Sequence, residues 1–300
     1  MPELPEVETI RRGLRGFILN AKITKIEIRC KKSFIGEPAC GRVRDLRRFG
    51  KALVIDLDNG YSMMIHLRMT GQLIWRGDRQ NFAGGHPSES FVSELPNKQT
   101  RVILEFDKGT LYFNDQRKFG FIKVMKTGSI EKDDFIKKLA KEPWQMTGVE
   151  LHKILQRRRQ SAVKSVILDQ TVIAGLGNIY ADEALYAAKI HPERKAGSLS
   201  LTEVEKLLEC ACRVMDKSLE AGGSTLQNYV KADGSRGDYL DLFAEVYHRD
   251  GQLCDRCGTE IAKIKVGGRG THFCPKCQKL KNTPVKPVEN SVKNSKKEPK

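Results

Sequence analysis

Three hundred residues, 39% of them hydrophobic, suffice for two ordinary cores and a small appendage. Fifty-three Lys and Arg against 37 Asp and Glu leave a net charge of +16, of which the last 23 residues carry +5 and the body +11, and a basic body points to a polyanion such as nucleic acid. No stretch approaches the about 20 apolar residues of a membrane span, and the acidic, amphipathic N-terminus is unlike a signal peptide, so a cytoplasmic place is expected, where eight cysteines need a use other than disulfides.

The chain opens MPELPEVE. Pro5 has the fixed φ that suits a first helical turn, and Glu6 and Glu8 favour a positive helix N-terminus. Val7, Ile10, Leu14 and Phe17 follow at spacings of three and four, which predicts a helix with one apolar face. The terminus has a second use. Proline is small enough for the initiator methionine to be trimmed, which leaves Pro2 with a free secondary amine. An α-amino group has a pKa of about 7.7–8. Part of it is therefore unprotonated near neutrality and can attack an electrophilic carbon to form an iminium. Glu3 lies beside it, where a proton donor is useful. A plain helix start is the simpler explanation of these residues, and the rest of the chain must decide.

Strand-like runs come next: "KITKIEIRC", "KALVIDL", "YSMMIHLRM", "RVILEFDKGTLYFND" and "GFIKVMK", with turn signals at Asp58-Asn59-Gly60 and Asp107-Lys108-Gly109. Residues 77 to 97, rich in Gly, Ser, Pro and Asn, read as a long loop. This half is expected to be a β-sandwich with a helix attached. From about residue 127 the period becomes helical and stays so past 220. Ser200 or Thr202 can cap the last helix and Gly222-Gly223 can stop it. The fold class is α+β. The boundaries expected are a sandwich over 2–126, a linker over 127–146, a helical domain over 147–244, a cysteine module over 245–278 and a disordered lysine-rich tail over 279–300.

The strongest local signal is "CDRCGTEIAKIKVGGRGTHFCPKC". Cys254 and Cys257 are separated by two residues, as are Cys274 and Cys277, with sixteen residues between the pairs, which is four-cysteine zinc spacing. Four thiolates close the tetrahedron, so one structural zinc is expected, with a β-hairpin between the knuckles and Arg269 at its tip. "AGLGNIYADEAL" places glycines and Asn178 at a helix start, where backbone N–H groups can hold a phosphate; a simple interhelical turn fits as well. "NDQRKFG" ends a strand with Arg117, Lys118 and Phe119 together. An exposed aromatic beside cations suits insertion into a base stack, and a Phe packed in the sandwich is the equal alternative. The same holds for Met69 in "HLRMTG".

MPELPEVE, "RRFGKALVIDL", "HLRMTGQL", "QRKFGF", "GLGNIYADEALYAAKIHP" and "GGRGTHFCPKCQ" occur in one order. Together they closely resemble the bacterial formamidopyrimidine-DNA glycosylases, from residue 2 to about 278. Leu4, in place of Gly, favours that family over the related endonuclease VIII. The resemblance implies excision of 8-oxoguanine and ring-opened formamidopyrimidines from double-stranded DNA, followed by β,δ-elimination at the abasic site, by a monomer at the bacterial nucleoid. It implies a helix–two-turn–helix element around Asn178 and a zinc hairpin as two DNA clamps. Pro2 matches the nucleophile, Glu3 the proton donor, and Glu6 a carboxylate of the same site. Met69, Arg117 and Phe119 match the wedge that fills the space of the everted nucleotide. Lys51, Asn178 and Arg269 match phosphate-gripping positions, Lys51 with a second use as proton donor. Tyr247 is a further phosphate contact, Lys164 matches a lysine near the lesion's phosphate, and residues from about Ser224 to Asp238 match a loop covering the lesion. Where relatives often carry a histidine-bearing "KHxH", this chain reads "NKQTRV", and whether Lys98 or Arg101 replaces that contact is left open by the sequence. The rivals are an endonuclease VIII-like glycosylase for oxidised pyrimidines and a damaged-DNA binding protein without catalysis.

Overall fold

The computed structural model describes residues 1–77, 80–86, 88–222 and 244–280. The expected lesion-covering loop and nearly all of the lysine-rich tail lie outside the described residues. Helix α1 (Leu4–Ile18) carries Pro5 in its first turn, and Val7, Ile10, Leu14 and Ile18 form its buried stripe. Phe17 is only partly buried, at the rim, with its ring 6.2 Å from that of Trp75 and 5.9 Å from that of Phe82.

Among the described residues ten strands follow: β1 (Ile23–Ile28), β2 (Phe34–Ile35), β3 (Val43–Phe49), β4 (Ala52–Leu57), β5 (Tyr61–His66), β6 (Gly71–Gly77), β7 (Asn81–Gly85), β8 (Thr100–Phe106), β9 (Gly109–Asp115) and β10 (Phe121–Lys126). They make two five-stranded sheets, ordered β1-β8-β9-β6-β7 and β2-β10-β5-β4-β3. The inner faces close on one core that includes Leu53, Ile55, Ile65, Leu73, Leu104 and Phe113. Gly60 and Gly109 take positive φ (+80° and +150°) at the two turns signalled in the sequence.

The stretch 77–97 is not simply a loop, because β7 lies within it and pairs with β6. Its glycines are packing residues. A Cβ on Gly84 would lie 2.5 Å from Ile10, and one on Gly13 would lie 2.1 Å from the Phe82 ring, so small residues on both partners bring α1 down onto β7. Strand β3 is equally hidden in the sequence, by its charge. Arg47 pairs with Asp56, and Arg48, on the opposite face of the strand, pairs with Glu8 of α1 and with Glu142, while Val43 and Leu46 are buried in the core.

The second half contains α2 (Asp134–Lys137), α3 (Gly148–Arg157), α4 (Val163–Ile167), α5 (Asn178–Ala187) and α6 (Leu201–Glu220). The helical spacing over 151–170 is realised as two helices. Between them Ala162 bridges to Lys195, and the Val163 N–H donates to the Arg194 carbonyl. Ser200 caps α6 in a reciprocal capping box with Glu203, as its spacing predicts, and Gly222 follows with φ +83°. Leu4 belongs to this domain's core although Val7 and Ile10 belong to the sandwich, so α1 spans the seam between the two bodies. The last described elements are β11 (Ala262–Val266) and β12 (Arg269–Phe273), an antiparallel hairpin turning at Gly267-Gly268, both with positive φ. Among the described residues no helix is long and apolar enough to cross a membrane.

Candidate active site and nucleic-acid interface

The N-terminus is built into the seam. Pro2 is buried behind the exposed Met1, and the Leu4 N–H donates to the Gly175 carbonyl at 3.2 Å. Glu3, 1% exposed, places its carboxylate on the N-terminus of α5, accepting from the Ile179 N–H at 3.0 Å and the Tyr180 N–H at 3.5 Å. The GLG turn exists for this approach. A Cβ on Gly177 would stand 2.2 Å from the Glu3 carboxyl carbon, and one on Gly175, at φ +86°, would stand 2.3 Å from Leu4. The backbone N–H groups of that helix start thus hold a protein carboxyl group.

Glu6 secures the first turn. It accepts the Glu3 backbone N–H at 2.8 Å and the Tyr180 hydroxyl at 2.5 Å, and that hydroxyl also bonds Ser218 on α6. Lys51 follows the tight turn at Gly50 (φ +53°), whose N–H donates to Glu142, and it is buried. Burial pushes the Glu3 carboxyl above its ordinary range and the neighbouring Glu6 charge adds to this, against the opposing pull of Lys51. Burial likewise lowers the Lys51 ammonium, with Glu3 and Glu6 opposing and Arg269 reinforcing the shift. The pocket therefore holds a carboxylic acid that keeps its proton more strongly than usual and a lysine that holds its own less strongly.

A second group of residues projects from one end of the sandwich. Asp115, ending β9, accepts N–H groups from Arg117 and Gly120 at 3.1 and 2.7 Å and bonds the Thr70 hydroxyl, so it ties the β5–β6 turn to the β9–β10 turn. Lys118 is forced to φ +59°. The outcome is an exposed Phe119 (54%) with the Arg117 guanidinium 4.8 Å from its ring centroid, while Met69 is half-buried on the adjoining turn. Phe119 is not a sandwich core residue. Arg101 is buried, and its guanidinium donates to the Asp115 and Lys98 carbonyls, leaving Lys98 exposed on that stretch.

The four cysteine sulfurs lie within 4.8 Å of one another, with 3.9 Å between Cys254 and Cys277 and 3.5 Å between Cys257 and Cys274. These separations bracket the about 3.8 Å edge of a tetrahedron with Zn–S bonds of about 2.3 Å. The donor set fits one structural zinc and leaves no position for a reacting water. The module docks on α5: the Arg256 guanidinium lies 3.9 Å from the Tyr186 ring centroid, and Gln278 donates to the Ile190 carbonyl. Arg269 is exposed at the hairpin turn. Asn178 donates to the Gly270 carbonyl at 3.0 Å. Tyr247 is partly buried. Burial and the Glu3 charge raise its hydroxyl to about 12, and its backbone N–H bonds Glu183, which also accepts those of Glu245 and Val246. The expectation set Lys164 against DNA phosphate. Here it is wholly buried, with Nζ bonded to Asp182, Gly270 and Thr271. Tyr180, Asp182 and Glu183 do not stand out in the sequence. The available signal is two adjacent carboxylates inside "IYADEALYAA", a helix with almost no other polar residue.

Three family models match in order: "Formamidopyrimidine-DNA glycosylase N-terminal domain" over residues 1–122, "Formamidopyrimidine-DNA glycosylase H2TH domain" over 139–230, and "Zinc finger found in FPG and IleRS" over 251–280. Fold and site together define a DNA glycosylase of the helix–two-turn–helix, zinc-finger class. Formamidopyrimidine-DNA glycosylases of Pelotomaculum thermopropionicum and Ligilactobacillus salivarius are each 40% identical, with 94% of this chain and all of the relative covered. Two Lactococcus lactis structures superpose with TM-scores of 0.81 and 0.79 at 33% and 31% identity, each covering 93% of this chain and all of the other; one is a mutant bound to Fapy-dG DNA, the other is bound to DNA with an AP site. The chain belongs to the formamidopyrimidine-DNA glycosylase family.

Proposed function

We propose that this protein excises 8-oxoguanine and formamidopyrimidines from duplex DNA and then cuts the strand by β,δ-elimination through a Schiff base on Pro2. The observation that carries this reading is the seating of Glu3 on α5, which holds an acid with a raised pKa one residue from the future N-terminal amine. Once Met1 is removed, the Pro2 nitrogen attacks the anomeric carbon of the everted nucleotide and the damaged base leaves. Glu3 gives its proton to the sugar-ring oxygen as the ring opens, and Glu6 fixes the turn that aims both groups. The iminium acidifies the neighbouring C–H, so the 3′ and then the 5′ phosphate are expelled and a one-nucleotide gap remains. Lys51, Asn178, Tyr247 and Arg269 grip phosphates around the lesion, and Lys51, whose charge acts on Glu3, has a second use as proton donor. Met69, Arg117 and Phe119 fill the vacated space in the duplex, Arg117 facing the orphaned cytosine. Zinc, held by Cys254, Cys257, Cys274 and Cys277, supplies rigidity to the hairpin and takes no part in the chemistry.

The same reading divides the chain into the catalytic sandwich at 2–126, a linker at 127–146, the helix–two-turn–helix domain at 147–244, the zinc hairpin at 245–278 and a tail at 279–300. It has the protein working as a monomer at the nucleoid. Borohydride should trap a covalent adduct between Met-trimmed protein and an 8-oxoguanine duplex. A protein that binds this duplex and yields no adduct would be a lesion-binding protein and not a glycosylase.

A further inference from the structure

Lys164 on α4 is 0% exposed; its ammonium donates to the Gly270 carbonyl at 3.0 Å and to Thr271 Oγ1 at 2.7 Å and forms an ion pair with Asp182 Oδ1 at 2.6 Å. An ammonium that is fully buried, with every partner inside the protein, presents no surface to a phosphate. Asp182 on α5 is 1% exposed. Its other oxygen accepts the His272 backbone N–H at 2.9 Å and lies 3.4 Å from the His272 ring. Asn178 donates to the same Gly270 carbonyl that Lys164 holds. Gly270, Thr271 and His272 are the three residues directly after Arg269. At the other side of the turn, Gly267 approaches Ser165 so closely that a Cβ would lie 2.3 Å from its hydroxyl. The hairpin is thus clamped on both sides of Arg269, while Arg269 itself is exposed and close enough to Lys51 to depress that lysine's pKa.

We propose that Lys164 and Asp182 are positioning residues: their buried ion pair latches β12 to α4 and α5 and so aims Arg269 at the DNA backbone, and Lys164 makes no DNA contact of its own. This rests on the functional reading above. A latch of this kind suits a buried charge pair. Separating the partners strands a charge in the interior, so hairpin positions that part the pair are disfavoured.

The test is the salt dependence of binding to an 8-oxoguanine duplex. Taking away one cation–phosphate interaction should lower the slope of log K against log salt by about 0.9. Arg269→Ala should show one such step. Lys164→Met and Asp182→Asn should each show the same single step, with zinc content unchanged, because Arg269 is no longer aimed. Combining either with Arg269→Ala should cost no second step. A Lys164→Met/Asp182→Leu variant, which removes both charges of the pair and strands neither, should behave like Lys164→Met. A merely structural role would lower the melting temperature and leave the slope alone, and that outcome overturns the proposal. So does a second step in Lys164→Met/Arg269→Ala, which would make Lys164 a direct phosphate ligand. Borohydride trapping on the parent protein is run alongside. A missing adduct there removes the functional reading, whereas an adduct with additive slopes removes only the latch.

Discussion

At the scale of single residues, Glu3 is an acid kept in a place that disfavours its charge. Its carboxyl is raised by burial and by Glu6, so the folded state holds the proton more tightly than the unfolded chain. Stability linked to it is greatest below the ordinary carboxylate value and declines as pH rises through the folded-state value. Glu3→Gln should therefore abolish base excision yet melt at a higher temperature than the parent near neutral pH, the gap closing toward pH 4.5. Melting curves across that range decide it, and a variant that is less stable at neutral pH would show that the carboxylate is net stabilising where it sits. Gly177 offers a steric counterpart. Its φ of −129° is open to alanine, but the new methyl would stand 2.2 Å from the Glu3 carboxyl carbon. Gly177→Ala should lower the single-turnover excision rate at least about tenfold, or about 1.4 kcal/mol of barrier, and leave duplex affinity nearly unchanged. Undiminished excision would mean that Glu3 acts from elsewhere.

At the scale of elements, α1 is held by its charged side as well as its apolar stripe. Glu8 is buried enough for desolvation to raise its pKa, but hydrogen bonds from Arg11 and Arg12 and the charge of Arg48 overcome this and hold it at about 2. Arg48 also bonds Glu142, so the helix, β3 and the linker share one network. A carboxyl lowered in the folded state stabilises above its unfolded value, and that contribution is lost as pH falls from about 4.5 to about 2. Glu8→Gln should flatten the acid-unfolding curve over that interval and lower stability at neutral pH. Acid titration followed by circular dichroism measures both, and an unchanged curve would take Glu8 out of the acid transition. The wedge turn shows how much of an element's shape lies in one side chain. Asp115 alone collects Thr70, Arg117 and Gly120, and the exposed Phe119 is a consequence of that network. In the sequence Phe119 is indistinguishable from a core aromatic, because local pattern carries no record of which face a turn presents.

At the scale of the molecule, the sandwich, the helical domain and the zinc module have separate apolar clusters, and α1 and α5 join them. Stripping the zinc should loosen the hairpin and, with it, the placement of Arg269. Chelation is therefore expected to release one zinc per chain, remove most duplex affinity and spare the sandwich's far-ultraviolet signal. Retained affinity in the stripped protein would show that the hairpin holds its shape without metal. The cysteine spacing, the Pro2-Glu3 terminus, the α1 stripe and the Ser200 cap were legible in the amino-acid order, because each depends on residues a few positions apart and on the period of a single element. Strand β7 was not, since its glycines read as loop until Ile10 and Phe82 are seen against them. Nor were the seat of Glu3 on Ile179 and Tyr180, the burial of Lys164 or the bridging by Asp182. Those depend on groups brought together from distant segments and on how far water is excluded around them. Desolvation and long-range hydrogen bonding belong to the folded arrangement, so only the tertiary structure could turn a row of recognisable motifs into a site with a raised acid, a weakened lysine and an aimed arginine.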